Sequence, residues 1–494
     1  MEVIFNMAKY DYDVIVAGGG LSGLITAAAI GFYSKQNARI LVVDRNSPTE
    51  PGKKTINGWI CGDGASKRSI DFLSDSIGIR YDKPELEHPV EGVVVFSPDH
   101  EKKVLFEGQG FILNRKILAQ RQVKDAENFG AKFSFNVACD SLCAEDGYIR
   151  GVIGRNLVDN SVYKKTAKIV VDAAGITTRL RTNLPIESKI EKEVNRDDIE
   201  STGRYIFYFE TGEDDPTWFD QNYAIIHLDQ YLAPGGYGWT FPKGNNKVNI
   251  GLGVQKKALD KRNWKYGKKD SLQDLIDEYV KNNKVIKNPI QSSDEADLGN
   301  TKGNWPVSVR RHNDCLVANG YAIVGDAAWM PNPISAGGIS PSIYASVILG
   351  KVVAEALEGN DLSETGLWQY NVDYMHQYGY RMASFEVLRK YLQTLTNNQI
   401  SYGMKHYLSE EDIQLVVDRK HPKFNRVKML NPLMWFRILS EPQLARSLKF
   451  ISDKSERLIA HNLAYPEKPN GFDVWKKQLL KELEEASRLL GETR

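Results

Sequence analysis

The sequence predicts an α/β fold with an inserted antiparallel β-sheet and a helical C-terminal region, and three observations carry the prediction. The first is a strand, turn and helix at residues 13–30, where Val14, Ile15 and Val16 run into Gly18-Gly19-Gly20-Leu21-Ser22-Gly23 and an alanine-rich segment. The second is a β-rich, aromatic tract at residues 204–254. The third is a return to strand, loop and helix at residues 321–357, followed by helical periodicity toward the end of the chain.

In the first unit, Gly18 allows a tight turn, Gly20 lets backbone N–H groups approach a pyrophosphate, and Gly23 lets the helix pack closely on its strand. The helix N-terminus then faces the phosphates. A second apolar strand, residues 40–43, ends in Asp44, about twenty residues beyond Gly23, where a carboxylate can bind ribose hydroxyls. Strand, loop, helix, strand and acid in succession make this a Rossmann-type dinucleotide-binding start rather than an ordinary glycine-rich turn. The same fold continues through a strand at residues 92–97, a helix at 114–129 and a strand at 168–174 that runs into Gly175. The inserted sheet has strands at 204–210, 223–228, 237–241 and 247–254, with Asn245-Asn246 as a hairpin turn. A strand at 321–324 leads through Gly325-Asp326 and a Pro- and Gly-rich loop to a helix at 342–357, back in the first domain. From Leu367, apolar residues including Trp368, Val372, Met375, Met382, Phe385, Leu388 and Leu392 recur at spacings of three, four and seven, which predicts one long amphipathic helix. The expected domains are residues 8–90, 114–200 and 306–360 for nucleotide binding, 91–113 and 201–305 for the substrate sheet, and 361–494 for the helical region.

With 494 residues, 42% of them hydrophobic, the chain can bury a large core. Its 64 Lys and Arg balance 63 Asp and Glu, so no global field favours nucleic acid. Four scattered cysteines fit a reducing cytoplasm, and Cys139 with Cys143 lacks the further ligands a metal site needs. No stretch reads as the roughly 20 apolar residues that cross a bilayer. Residues 1–9 lack a secretion signal.

NAD and FAD sites share the first glycine loop, and three later elements complete a cradle for the larger cofactor, FAD. Arg121, on the helix after Asn114, is placed to pair with a phosphate or ribose. Gly175, with Thr177, Thr178, Arg179 and Arg181 behind it, ends a strand where a backbone turn can approach the adenosine. Gly325-Asp326 sets a carboxylate near ribityl hydroxyls, and Gly337-Gly338 leads to a helix N-terminus that would stabilise negative charge on a reduced flavin.

With these motifs the chain resembles the geranylgeranyl reductase family of flavoproteins, particularly the archaeal membrane-lipid reductases. The resemblance covers nearly the whole chain. It rests on Gly18-x-Gly20-x-x-Gly23, Cys61-Gly62-Asp63 with Ser66-Lys67, Ala174-Gly175 with Arg181, Pro234-Gly-Gly-Tyr237-Gly-Trp239-Thr-Phe241-Pro242-Lys243-Gly244, and Gly325-Asp326 with Asn332-Pro333 and Gly337-Gly338. The Tyr-x-Trp-x-Phe-Pro element is the most specific. The resemblance implies the p-hydroxybenzoate hydroxylase-like flavoprotein fold and reduction of isolated C=C bonds in geranylgeranyl chains, on a digeranylgeranyl glycerophospholipid or a prenyl diphosphate. One departure is Ala336, where family members often carry a third glycine.

Reducing an unactivated alkene needs a hydride at one carbon and a proton at the other, with water and dioxygen kept away. Tyr237, Trp239 and Phe241 alternate along one strand and so share a face, either as one wall of an apolar slot for the prenyl chain or as plain sheet core. Cys61 is read as a cofactor-facing weak acid or steric gate, against the commoner fate of an inert buried thiol. No second nucleotide motif is visible, which leaves NAD(P)H or a small redox protein as electron donor. Residues 419–437 carry Arg419, Lys420, Lys423, Arg426, Lys428 and Arg437 among Phe424, Trp435 and Phe436, which suits a peripheral site on an anionic membrane surface or, equally, a solvated basic face. Two further readings compete: a flavin monooxygenase or halogenase acting on a hydrophobic substrate, and a prenyl-lipid-binding flavoprotein without turnover.

Overall fold

The computed structural model describes residues 9–48, 61–293, 302–407 and 442–492. The basic stretch at 419–437 lies outside them. Two sheets organise the chain. The first is built on the strand Tyr12–Ala17, which pairs in parallel with Ile40–Val43 on one side and Val162–Asp172 on the other. Ala131–Ser134 and Tyr321–Ile323 extend it in parallel at either end. Its central strands are fully buried runs of Val and Ile, as a parallel sheet covered on both faces requires. Helices Leu21–Tyr33 and Ile339–Glu358 pack against each other. The second is long and apolar enough to cross a bilayer, which the sequence pattern did not show, but 78% of its apolar window is buried in this core.

The second sheet has nine strands in the order Ile286–Gln291, Ile199–Thr211, Lys247–Gln255, Gly238–Gly244, Tyr223–His227, His88–Phe96, Lys103–Ile112 and Gly64–Ser66, with Lys302–Ser308 also on Ile199–Thr211. All pairs are antiparallel except Tyr223–His227 with His88–Phe96, so the sheet is mixed rather than purely antiparallel. That parallel pair joins strands far apart in sequence. The short strand Gly64–Ser66, which the sequence assigns to the nucleotide domain, lies here on Lys103–Ile112. Asn245 and Asn246 take φ of 52° and 54°, the left-handed conformation a tight hairpin demands.

The continuous helix expected from Leu367 is instead three pieces, Glu364–Leu367, Gln369–Gln377 and Met382–Leu392, with a 3-10 turn at Gly379–Arg381. The break has a tertiary cause. Tyr378 leaves helical geometry at φ −143°, and a Cβ on Gly379 would overlap the His312 ring. Apolar spacing continues through the kink because both pieces face the same core.

Candidate active site

The glycine loop is held by backbone. Gly18 sits at φ +111°, and a Cβ on Gly23 would overlap the Gly18 carbonyl oxygen, so both positions need glycine. A Cβ at Gly20 would meet nothing within 4 Å. Asp44 closes the loop from below, Oδ2 accepting the Gly19 N–H at 2.5 Å and Oδ1 accepting the Asn46 N–H at 2.7 Å. Burial raises the Asp44 pKa against the pull of those N–H groups.

Gly175 ends the neighbouring strand at φ +82°, again with open space where a Cβ would stand. Buried Asp172 fixes this turn by accepting the Ala174 N–H at 3.0 Å and the hydroxyls of Thr178 and Tyr321, each at 2.8 Å. Arg181 reaches across to donate to the Ala327 carbonyl and stacks 4.4 Å from the Trp329 ring, which ties the Gly175 turn to the turn Gly325–Ala328. Asp326 lies in that turn, close to Gly338 at the start of helix Ile339–Glu358. Burial raises its pKa, and the Arg115 charge opposes the shift. Ala336 takes φ +48°. A residue with a Cβ is disfavoured there by about 1 kcal/mol, which is the physical content of its departure from glycine.

The aromatic strand forms the facing wall. Ring centroids of Tyr237 and Trp239 lie 6.1 Å apart and those of Trp239 and Phe241 6.3 Å apart, so the three share a face. The Tyr237 hydroxyl donates to the Ser335 carbonyl, joining this wall to the loop before Gly337-Gly338. Burial raises the Tyr237 pKa. Gly62 lies over the same face, its Cβ position 3.3 Å from the Phe241 ring.

Three strands, Ile199–Thr211, Gly238–Gly244 and Lys247–Gln255, send side chains to the loop Cys61-Gly62-Asp63. The Cys61 carbonyl accepts from Asn249 Nδ2 at 2.9 Å and from Arg204 Nε at 3.2 Å. Asn249 Nδ2 also donates to Asp63 Oδ2 at 2.7 Å, and Asn249 Oδ1 accepts from Trp239 Nε1 at 3.0 Å. Buried Lys243 donates to the Leu113 carbonyl at 2.8 Å and pairs with Asp63 at 3.3 Å and Glu87 at 2.6 Å, while Lys247 pairs with Glu87 at 2.9 Å. Lys243, Lys247, Asp63 and Glu87 are paired with one another, as buried charges must be. The Cys61 thiol is pushed up by burial and drawn back by Arg115.

Of the residues expected from sequence, the structure gathers Gly18, Gly20, Gly23, Asp44 and Gly175 at the ends of the parallel strands, and Cys61 and Gly62 on the face of Tyr237, Trp239 and Phe241. Arg121 is used elsewhere. Its guanidinium pairs with Asp125 at 2.9 Å and Glu85 at 3.6 Å and donates to the Arg80 carbonyl, all within the protein. The cation whose charge reaches both Cys61 and Asp326 is Arg115, at the first position of the same helix. Sequence reasoning also missed Asn249, Arg204 and Glu200. The only signal for Asn249 is a lone amide inside the apolar run from Val248 to Val254.

A glycine-cradled nucleotide site on a parallel sheet, walled by a second sheet of aromatics, defines the class of flavoprotein oxidoreductases. A family model described as the geranylgeranyl reductase catalytic domain matches residues 198–292. Over 487 residues, 98% of this chain and 100% of the relative, the sequence is 31% identical to digeranylgeranylglycerophospholipid reductase of Sulfolobus acidocaldarius. The enzyme of the same name from Methanothrix thermoacetophila is 25% identical over 406 residues, 81% of this chain and 92% of its own. The chain belongs to the geranylgeranyl reductase family. Among solved structures, a geranylgeranyl bacteriochlorophyll reductase-like protein from Thermoplasma acidophilum shares the fold at a TM-score of 0.67 and 21% identity, covering 89% of this chain and 99% of that one. A myxobacterial FAD-dependent chondrochloren halogenase shares it at 0.61 and 17%, covering 77% and 83%.

Proposed function

We propose that this protein saturates C=C bonds of geranylgeranyl chains in archaeal membrane-lipid synthesis, on a digeranylgeranyl glycerophospholipid, with geranylgeranyl diphosphate as the alternative head group. The observation that carries the reading is the meeting of the Cys61-Gly62-Asp63 loop with the Tyr237, Trp239 and Phe241 face in a chain of this family. The open space at Gly20 and Gly175 and the buried acid Asp326 fit FAD. Gly18, Gly20 and Gly23 with the helix N-terminus at Leu21 would hold its pyrophosphate, Gly175 its adenosine side, and Asp326, Gly337 and Gly338 its ribityl and ring end. When bound and reduced, FAD would supply the hydride.

The chain's own residues do the rest. Trp239 and Phe241 offer an apolar wall that orients a prenyl chain and excludes water. Cys61 Sγ, its pKa raised by burial, holds a proton at neutral pH and is the group that would supply the alkene's proton. Electrons come from NAD(P)H or a small redox protein, and the enzyme works as a peripheral protein on the cytoplasmic membrane surface. The test is anaerobic single turnover. Chemically reduced protein mixed with geranylgeranyl diphosphate, and separately with an unsaturated archaeal ether lipid, should give products heavier by one H2 per bond reduced. Unchanged masses with both substrates would defeat the proposal.

A further inference from the structure

Helix Lys256–Tyr266 and the residues just after it carry a face that the reaction does not use. Its inner side is committed to the substrate sheet. Leu259 and Arg262 are buried, Arg262 Nε donates to the Tyr231 carbonyl at 3.0 Å, and the guanidinium lies 4.2 Å from the Tyr231 ring. The Gln255 N–H, at the helix start, donates to the Pro234 carbonyl at 3.0 Å. The helix is therefore tied to the segment that leads directly into Tyr237.

The outer side has the opposite character. Trp264 is 86% exposed and Tyr266 48% exposed. Around them, Lys256, Lys257, Lys261, Lys265, Lys268 and Lys269 are all exposed. Lys256 pairs with Asp260 and Lys257 with Asp197, whereas Lys261, Lys265, Lys268 and Lys269 form no ion pair among the described residues. A solvated helix face accounts for lysines but not for an indole left in water, since no side chain offers more apolar area to bury. Aromatic rings flanked by long cationic stems are the composition that settles at the lipid headgroup level. An acidic protein would match the lysines, but protein hot spots place Trp in a packed apolar centre. Trp264 is ringed by charge instead.

We propose that residues 256–269 dock the enzyme on a membrane bearing anionic lipid, with Trp264 and Tyr266 entering the interface and Lys261, Lys265, Lys268 and Lys269 meeting the headgroups. The proposal rests on the reading of the substrate as a prenyl lipid, because a substrate held in a bilayer requires the enzyme to come to the membrane surface.

The test is flotation of the full-length, FAD-loaded protein with phosphatidylglycerol-containing and pure phosphatidylcholine vesicles. The combined Lys261→Gln, Lys265→Gln, Lys268→Gln variant should bind anionic vesicles about a hundredfold more weakly, with neutral vesicles unaffected. Trp264→Ala should weaken binding to both about tenfold. All four side chains are exposed, so flavin content and melting temperature should match the parent. Triple-variant binding to anionic vesicles within about threefold of the parent overturns the proposal. So does unchanged vesicle binding accompanied by lost electron transfer from an acidic redox protein, which would reassign the face to that partner. Vesicle binding is read without turnover. Weakened binding in the variants therefore supports the docking face even if the reduced parent protein fails to saturate any prenyl substrate, a result that would remove only the substrate reading.

Discussion

The glycine loop after Tyr12–Ala17 is held by backbone geometry, whereas the Cys61 loop beneath the aromatic strand is held by buried charge. The first needs glycine at Gly18 and Gly23 because neighbouring main chain fills the space, and it leaves Gly20 open. The second draws Asp63, Glu87, Lys243, Lys247, Asn249 and Arg204 into one network. A cradle for a cofactor of fixed shape can be built from a turn that its own main chain holds in place. The aromatic strand and the polar fastening share one face, since Asn249 sits opposite Phe241 and accepts from Trp239 while holding Cys61 and Asp63.

The sharpest way to break the comparison is within the glycine loop itself. Gly23→Val should unfold or severely destabilise the first domain, by about 4 kcal/mol or more, since something must move away from the Gly18 carbonyl. Gly20→Val should fold like the parent and lose bound FAD, with affinity falling at least about a hundredfold as the side chain enters the pyrophosphate's approach. Melting temperature and flavin absorbance of the two purified proteins separate these outcomes. Full flavin content in Gly20→Val would sink the cradle assignment.

On the other side, Lys243→Met should cost about 3–5 kcal/mol in urea unfolding, because Asp63 and Glu87 would keep their burial and lose a shared cation. Adding Asp63→Asn should recover part of that loss. A cost under about 1 kcal/mol would mean that water reaches the network and that charge does not hold this loop.

The smallest effect sharpens the comparison through pH. Glu200 is buried beside the turn that precedes Tyr237, and burial lifts its carboxyl to about 7, against 4.5 ordinarily, with Arg389 opposing. The folded state therefore keeps a proton that the unfolded chain releases. The stability this contributes is complete below the ordinary value and disappears as pH rises through the raised one. Loss of stability on the order of 2–3 kcal/mol is expected across that window. Glu200→Gln should remove that part of the decline, so the difference between variant and parent should grow in the variant's favour from pH 5 to pH 8. A difference that stays constant would show that Glu200 ionises freely in the folded protein.

The backbone-held half of the site was legible because its demands fall on residues close in sequence. Gly18, Gly20 and Gly23 are set by one turn, and Asp44 by the end of the next strand. The aromatic face was legible for the same reason, since alternation along one strand puts Tyr237, Trp239 and Phe241 together. Arg115, whose charge reaches Cys61 and Asp326, carried no signal in the sequence because it shares one helix with Arg121, and only the fold shows that Arg121 is engaged by Asp125 and Glu85. The kink at Tyr378 was hidden because His312, more distant in the chain, imposes it. Residues 419–437 lie outside the described structure.

The strand Tyr223–His227 runs parallel to His88–Phe96 and joins two hairpins that the chain makes more than a hundred residues apart. The stretch that the family model matches, residues 198–292, therefore holds only part of the second sheet. Excised, it would leave behind the three strands that complete its sheet on one side, together with Cys61 and Asp63. Cutting at either boundary would split a site that the full chain assembles by passing between the two sheets repeatedly.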